Sequence, residues 1–471
     1  MRGEKAARPV GRGWTIRTTG AAMVCLALSL TGCGGARTAA GSSGAAGNAP
    51  AAFTSNCCAA GAPINPNFYG VNFDYAGAAM FAHAKVDRLL SQLSPGTLRW
   101  PGGTEADFFD WRSGRPTNKL KSFRFGLARL AAAYRATGAA PIFDLNVLAP
   151  GNRTSVASQV AMLRAAQKMG LPITYVEIGN ELYGGGAFRA AFPDGSSYGR
   201  TVAIYVRALH QDFPGVQVAA DAVLAPADAR QAAWNREVLS TATGPGAPDA
   251  FILHDYPGVY YKPFRTNDLP PLFSMIGGEV QRLGKAADGL RGKSIWLTEY
   301  NFRGPYRETK IQLAASGPNP VQSSFARELY LAAFALMLPR VPHLQLVDNW
   351  AALNGQSFSA FADPRHPVLT PGGQAVAMID AAAHGAHRSA AISVPGASQG
   401  PSSDPAAFGQ AFWNPGGPMH SVFVNLGSRP ERVPVGPWVT AGAPYQQVSG
   451  NPLTKEPESV TARHVEQLEV A

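Results

Sequence analysis

Eight short apolar runs, each separated from the next by a stretch patterned like a helix, constrain what this chain can fold into more than any other feature. The runs are FYGVNF (68–73), GTLRWP (96–101), APIFDLNVL (140–148), ITYVEIGNE (173–181), VQVAADAV (216–223), AFILHDY (250–256), SIWLTEY (294–300) and LQLVDNW (344–350). Helical spacing of apolar residues marks the segments between them, such as SVASQVAMLRAAQKMG (155–170), which ends on a capping glycine, and SSFARELYLAAFALML (323–338). Strands that alternate with helices form a parallel sheet, and eight such units closing on themselves make a (β/α)₈ TIM barrel. An open doubly wound sheet is the rival; the count of units and their extent favour closure. From about Ala390 the texture changes to short alternating runs punctuated by Pro and Gly, such as HSVFVNLG (420–427) and ERVPVGPWV (431–439). That pattern predicts a C-terminal antiparallel β-sandwich, with a further strand available from the residues between Cys57 and Tyr69. The expected plan is a barrel over 63–388 and a sandwich over 389–471.

The N-terminus reads differently. Arg2, Lys5, Arg8, Arg12 and Arg17 precede an apolar run from Ala21 to Leu30 that ends in Leu30-Thr31-Gly32-Cys33. This is the plan of a secretory signal over 1–32, and its LTGC ending resembles a bacterial lipoprotein signal. The resemblance implies cleavage before Cys33 and lipidation of its thiol, with an ordinary signal peptide or a short membrane anchor as the alternatives. The apolar run is too short to span a bilayer comfortably. Gly34 is not an aspartate, which by the general lipoprotein sorting rule implies the outer membrane in a Gram-negative host. Residues 33–62 are almost wholly Ala, Gly, Ser, Thr and Asn, a tether unable to bury enough apolar area to offset its ordering entropy. Removing 1–32 lowers the formal net charge from +10 to +6. No basic run carries interleaved aromatics, so nucleic acid is not an expected partner. Cys57 and Cys58 have no metal-site spacing; in an oxidising compartment they could pair as a vicinal disulfide.

In a barrel of this kind the active site lies at the C-terminal strand ends. The predicted strands end in RWPGG, DLNV, GNE, HDY, TEY and DNW, and polar side chains clustered at one rim are costly unless they act or satisfy one another. Two carboxylates, Glu181 and Glu299, stand at strand ends on opposite sides of the opening. Glycoside hydrolysis needs such a pair, one to protonate the leaving oxygen and one to stabilise or attack the anomeric carbon. A separation of about 5 to 5.5 Å would mean retention through a glycosyl-enzyme.

EIGNE, IWLTEYN, HDY and LRWPGGTEADFFDW together resemble the retaining (β/α)₈-barrel glycoside hydrolases with a strand-four Asn-Glu pair and a strand-seven Glu. The likeness covers roughly 65–365 and is nearest to the heparanase and β-glucuronidase group, with α-L-arabinofuranosidases next. It implies Glu181 as general acid/base, Glu299 as nucleophile, Asn180 as a hydrogen-bond partner of the sugar 2-hydroxyl, and Tyr256 as the residue that orients or hydrogen-bonds Glu299. Arg99, His254 and Trp350 match supporting residues at the ends of strands two, six and eight. LRWPGG lies between the patterns of the two groups.

Several residues keep two readings. Glu177 shares strand parity with Glu181 and points into the barrel, one layer deeper, where a carboxylate must be paired; Arg99 is its expected partner, or else touches the nucleophile. His254 is a satisfied interior histidine or a working acid. Asp74, Asp144 and Asn146 contact sugar or bond within the rim. Trp350 floors the sugar subsite or fills the barrel top. Gly102 and Gly103 are expected to permit a tight turn. The expected reaction needs no cofactor and no metal, and the expected substrate is a poly- or oligosaccharide, with a uronic-acid-containing glycan one option. The other readings are an α-L-arabinofuranosidase-type activity, a carbohydrate-binding lipoprotein without turnover, and a serine esterase. GSSYG (195–199) fits the esterase elbow around Ser197, but a loop signal precedes it where that elbow needs a strand. His384 and His387 form a lone H-x-x-H with no further ligands.

Overall fold

A computed structural model describes residues 22–28, 61–74, 83–117, 124–148, 155–257, 269–302, 325–353, 359–362, 366–394, 396–400, 405–429, 431–433, 444–449, 458–464 and 468–470. For 22–28, 83–85, 362, 432–433 and everything from 444 onward the backbone alone is described. The expected lipid acceptor Cys33 and the adjacent Cys57 and Cys58 lie outside the described residues.

All eight apolar runs are strands of one closed parallel barrel: β1 (Tyr69–Asn72), β2 (Thr97–Trp100), β3 (Ala140–Asp144), β4 (Tyr175–Ile178), β5 (Gln217–Asp221), β6 (Ala250–Asp255), β7 (Ser294–Tyr300) and β8 (Leu344–Asn349). A helix follows each strand: α1 (His83–Leu93), α2 (Leu127–Thr137), α3 (Val156–Lys168), α4 (Gly195–Asp212), α5 (Ala229–Thr241), α6 (Leu269–Gly289), α7 (Phe325–Met337) and α8 (Pro371–Ala383). Capping sets their starts. Ser155 accepts from the Ser158 amide at α3, and Asp194 with Ser197 forms a reciprocal capping box at α4. Two strands stop well before their apolar runs end, β3 at Asp144 and β4 at Ile178, because the chain leaves the ladder before it delivers Asn146, Asn180 and Glu181.

Period-two alternation builds the barrel interior in layers. Ile142, Tyr175, Ala219, Ile252, Trp296 and Leu346 belong to one buried apolar cluster, in which Tyr175 and Trp296 meet edge to face at 5.5 Å. Two residues further along the same strands stand Asp144, Glu177, Asp221, His254, Thr298 and Asp348. The barrel is thus dry at one end and ionisable at the other.

The C-terminal region forms a seven-stranded antiparallel sheet in the order Ala62–Pro63, β9 (Arg388–Ser393), β10 (Ala407–Trp413), β11 (Met419–Asn425), Ala22–Leu28, β12 (Pro444–Ser449) and β13 (Glu458–His464). A separate two-stranded pair joins Glu431–Val433 to Leu468–Val470. The sheet meets the barrel through α7 and its neighbours: Phe412 lies edge to face on Tyr69 at 5.9 Å, and Arg340 lies over Phe408. Residues Ala22–Leu28, read from sequence as the apolar part of an export signal, occupy the place between β11 and β12. An unbroken apolar run serves equally well as a signal core or as a strand paired on both edges. Among the described residues no helix is long and apolar enough to cross a membrane.

Candidate active site

Arg99 is the centre of the rim. Its side chain is fully buried on β2 and every nitrogen of the guanidinium is engaged. Nε donates to Glu177 Oε2 (2.6 Å), Nη1 to Glu299 Oε1 (2.6 Å) and Asn72 Oδ1 (3.0 Å), and Nη2 to Asn180 Oδ1 (2.8 Å) and Asp144 Oδ2 (3.0 Å). Both readings of Arg99 therefore hold at once: it pairs with Glu177 and it touches Glu299. Burial works to lower its pKa, and the charges of Glu177, Asp144 and Glu299 outweigh that and raise it well above the ordinary value. One cation faces several carboxylates, so they cannot all be ionised. Burial pushes Asp144 well up, against Arg99; it also pushes up Asp107, which accepts the Asn180 amide at 3.0 Å.

Glu299 reaches this centre through an irregularity in β7. Alternation would place Trp296 and Thr298 inward and Glu299 outward. Leu253 of β6 is registered with Leu297, whereas His254 is registered with Glu299, so Thr298 is an extra residue on β7. Such a bulge turns the following side chain back toward the opening. There Glu299 accepts from Arg99 on Oε1 and from the Tyr256 hydroxyl on Oε2 at 2.6 Å, with only 7% of its side chain exposed.

Glu181 arrives by a different device. Gly179 has φ +83°, and a Cβ there would meet Leu182 Cδ1 at 2.4 Å, so the turn after β4 needs glycine. Glu181 itself sits at φ +48°, in the left-handed region that non-glycine residues rarely adopt. Its side chain is 40% exposed and Oε1 lies 2.9 Å from His254 Nδ1. Burial acts to raise its pKa, but the hydrogen bond and charge of His254, the charge of Arg99 and a hydrogen bond from Tyr183 hold it below the ordinary carboxylate value. Burial acts to lower His254, while Glu299 and the bond to Glu181 raise it above 6.5. The two shifts run in opposite directions and both favour the imidazolium–carboxylate form of the Glu181–His254 pair.

Glu181, His254 and Glu299 bring one ligand atom each within 4.8 Å of one another. A cation could be considered there. The adjoining Arg99 guanidinium already neutralises Glu299, and His254 already bonds Glu181, so the set is built as an ion-pair and proton-sharing cluster.

The other expected residues fall around this centre. Asn180 is buried, and because Arg99 donates to its Oδ1 the amide Nδ2 is the donor left for a ligand. The amide of Asn146 bonds the Phe109 carbonyl and its Oδ1 accepts from Leu148, which ties two loops together. Asp144 is buried beneath the rim against Arg99, and Asp74 is buried beside Gly102. Gly102 (φ +67°) and Gly103 (φ +64°) make the tight turn, and a Cβ on Gly103 would meet the Trp350 indole at 2.4 Å, so the ring lies against bare backbone. Arg327 donates to Asn301 Oδ1 at 2.9 Å, and Asn301 Nδ2 donates to the Trp350 carbonyl.

Sequence reasoning passed over Asn72, Asp107, Tyr183, Asp221 and Arg230. Asp221 accepts the Leu182 amide at 2.9 Å, and Arg230 donates to the carbonyls of Leu182, Tyr183, Gly184, Phe192 and Pro193. Asn72 and Asp107 stood inside motifs already quoted; nothing in the local sequence marks Arg230. Ser197 lies within the first turn of α4 and its Oγ donates to the Asp194 carbonyl, with no strand leading into it. His384 and His387 bond separate partners, the Ser94 carbonyl and Asn414 Oδ1.

No family model matches the chain, and no curated protein matches it in sequence. In fold it is similar to solved structures. The family 51 arabinofuranosidase from Xanthomonas axonopodis pv. citri superposes with a TM-score of 0.63 at 16% identity, covering 87% of this chain and 95% of that one. The family 51 α-L-arabinofuranosidase from Bifidobacterium longum gives 0.63 at 13%, covering 87% and 92%. A 4-O-α-L-rhamnosyl-β-D-glucuronidase from Fusarium oxysporum gives 0.53 at 13%, covering 80% of each. The chain therefore has a glycoside hydrolase (β/α)₈ fold like that of family 51, and this fold is common to arabinofuranosidases and glucuronidases.

Proposed function

We propose that this protein is a retaining glycoside hydrolase acting on a poly- or oligosaccharide. The observation that carries the reading is the pair of facing carboxylates, with Glu181 and Glu299 oxygens within 4.8 Å and their environments sharply different. Glu299 is held by two donors and largely dry, as a nucleophile that must be aimed; Glu181 is half open to solvent and bonded to a proton donor. In the first step a Glu299 oxygen attacks the anomeric carbon while the glycosidic C–O bond breaks. The leaving oxygen takes the pair's single proton from Glu181, to which it passes from His254 across their 2.9 Å contact. In the second step Glu181 removes a proton from water, whose oxygen attacks the same carbon and releases Glu299. Asn180 Nδ2 donates to the sugar 2-hydroxyl, and the Trp350 indole floors the sugar.

Two glycones have support. Arabinofuranoside is supported by the names of similar folds, and a uronide by the residue motifs that resemble the β-glucuronidase group and by the name of one similar fold. We further propose that the protein is exported and anchored through lipidated Cys33, on the strength of the basic start, the apolar run and LTGC. The test is hydrolysis of a panel of aryl glycosides, including β-glucuronide and α-L-arabinofuranoside, by the chain starting after Cys33, with Glu299→Ala alongside. Turnover of one member should fall by several decades in the variant and return in part with azide, giving a glycosyl azide of inverted configuration. Full activity in Glu299→Ala removes it from the nucleophile role.

A further inference from the structure

The end of the barrel opposite the catalytic rim carries an open cleft of about 710 Å³ where the strands begin. It runs between the starts of β4, β5 and β8, the segment leading into β1, and Ser389 of the C-terminal sheet. Among the described residues no Lys, Arg, Asp or Glu lines it, and His343 is the one imidazole. Its polar lining is chiefly amide, with the Tyr175 phenol, the His343 imidazole and the Ser389 hydroxyl, set among Pro63, Ile64, Pro66 and Leu344.

These amides are held in a fixed orientation by a chain that starts in the dry core. Trp296 Nε1 donates to Gln345 Oε1 at 2.9 Å, which makes Gln345 Nε2 the donor to Gln217 Oε1 at 2.7 Å. The chain ends on Gln217, whose Nε2 is left as the donor at the cleft. On the other wall Asn65 and Asn67 both donate to the Tyr175 hydroxyl, at 3.1 and 3.4 Å, and Asn65 Oδ1 accepts the Asn67 amide. Oriented neutral donors and acceptors beside apolar faces match a ligand that is uncharged, rich in hydroxyls and apolar on its ring faces. Among the described residues an anion would find no Lys or Arg there, and a cation no carboxylate.

We propose that this cleft is a second, non-catalytic site for a neutral stretch of glycan. The choice of glycan rests on the hydrolase reading; the cleft's chemistry does not. Holding the same polymer at both ends of the barrel raises its effective concentration at the catalytic rim.

Affinity electrophoresis tests this, using the Glu299→Ala protein so that the matrix is not digested. The gels contain a neutral arabinan, a neutral arabinoxylan or polygalacturonate. Retardation is expected in at least one neutral gel, with the dissociation constant rising about 5- to 10-fold for added Gln217→Ala or Asn67→Ala, the effect of one lost hydrogen bond. Retardation by polygalacturonate, if any, should not respond to either change. The same two substitutions in an otherwise wild-type chain should leave aryl-glycoside turnover unchanged, which checks that they fold. Equal retardation with and without both substitutions, or none in either neutral gel, overturns the proposal. Silence of the glycoside panel together with no release of reducing ends from either neutral polymer by the unsubstituted chain, with retardation intact, would sink the hydrolase reading and leave the cleft standing.

Discussion

Glu181 and His254 bind one proton between them over the range where the imidazole is protonated and the carboxyl is not. A leaving group that needs protonation depends on that proton. As pH rises through His254's elevated pKa, above 6.5, the pair empties, so kcat/KM for an unactivated glycoside should fall there. In His254→Gln the bond and charge that lower Glu181 are gone and Glu181 alone holds the proton. The alkaline limb should then move down toward the carboxyl range; an unmoved limb in a pH–rate profile would separate His254 from the proton path. Glu181→Ala should cost about 10²- to 10⁴-fold on substrates with poor leaving groups and far less on activated aryl glycosides, since only the former need an acid. Equal losses on both would leave Glu181 a positioning role. The two carboxylates were legible as strand-end residues, but their unlike environments were not. Those are set by Arg99 on β2 and by His254 and Tyr256 at the end of β6.

The loop after β4 shows why an element can be read while its support cannot. EIGNE announces a strand, a glycine turn and a carboxylate, and the φ +83° at Gly179 explains the glycine. What keeps that loop in place is Arg230, at the start of α5 and 46 to 48 residues from Gly184, Tyr183 and Leu182. It gathers five carbonyls with one fork of donors, a geometry lysine cannot reproduce. Arg230→Ala should lower kcat on poor leaving groups by up to about 10²-fold through misplacement of Glu181, with a smaller loss on activated ones. Arg230→Lys should fail to restore it. A fall in Tm with unchanged leaving-group dependence would make Arg230 structural only. The bulge in β7 belongs to the same scale. SIWLTEY reads as a strand, yet the extra residue that turns Glu299 inward depends on how β6 and β8 register against it.

At the scale of the whole molecule, the N-terminal run has two incompatible fates. Retained, Ala22–Leu28 is a strand between β11 and β12; removed with an export signal, it leaves those two edges to be closed by other means. The proposal of export predicts an intact mass beginning at Cys33 with added acyl chains, and loss of membrane fractionation in Cys33→Ser. A mass that includes residues 1–32 would instead fix the run as part of the sheet. Composition and period by themselves determined the eight βα units, the change to antiparallel strands near Ala390 and the two rim carboxylates, because burial forces apolar residues into the spacing of each element. Only closure of the barrel decided that Arg99 would touch Glu177, Asp144, Asn180 and Glu299 together, that Trp350 would lie on Gly103, and that an oriented amide chain would end at the far mouth. Each of those depends on residues distant in sequence meeting at one place, which local propensity does not encode.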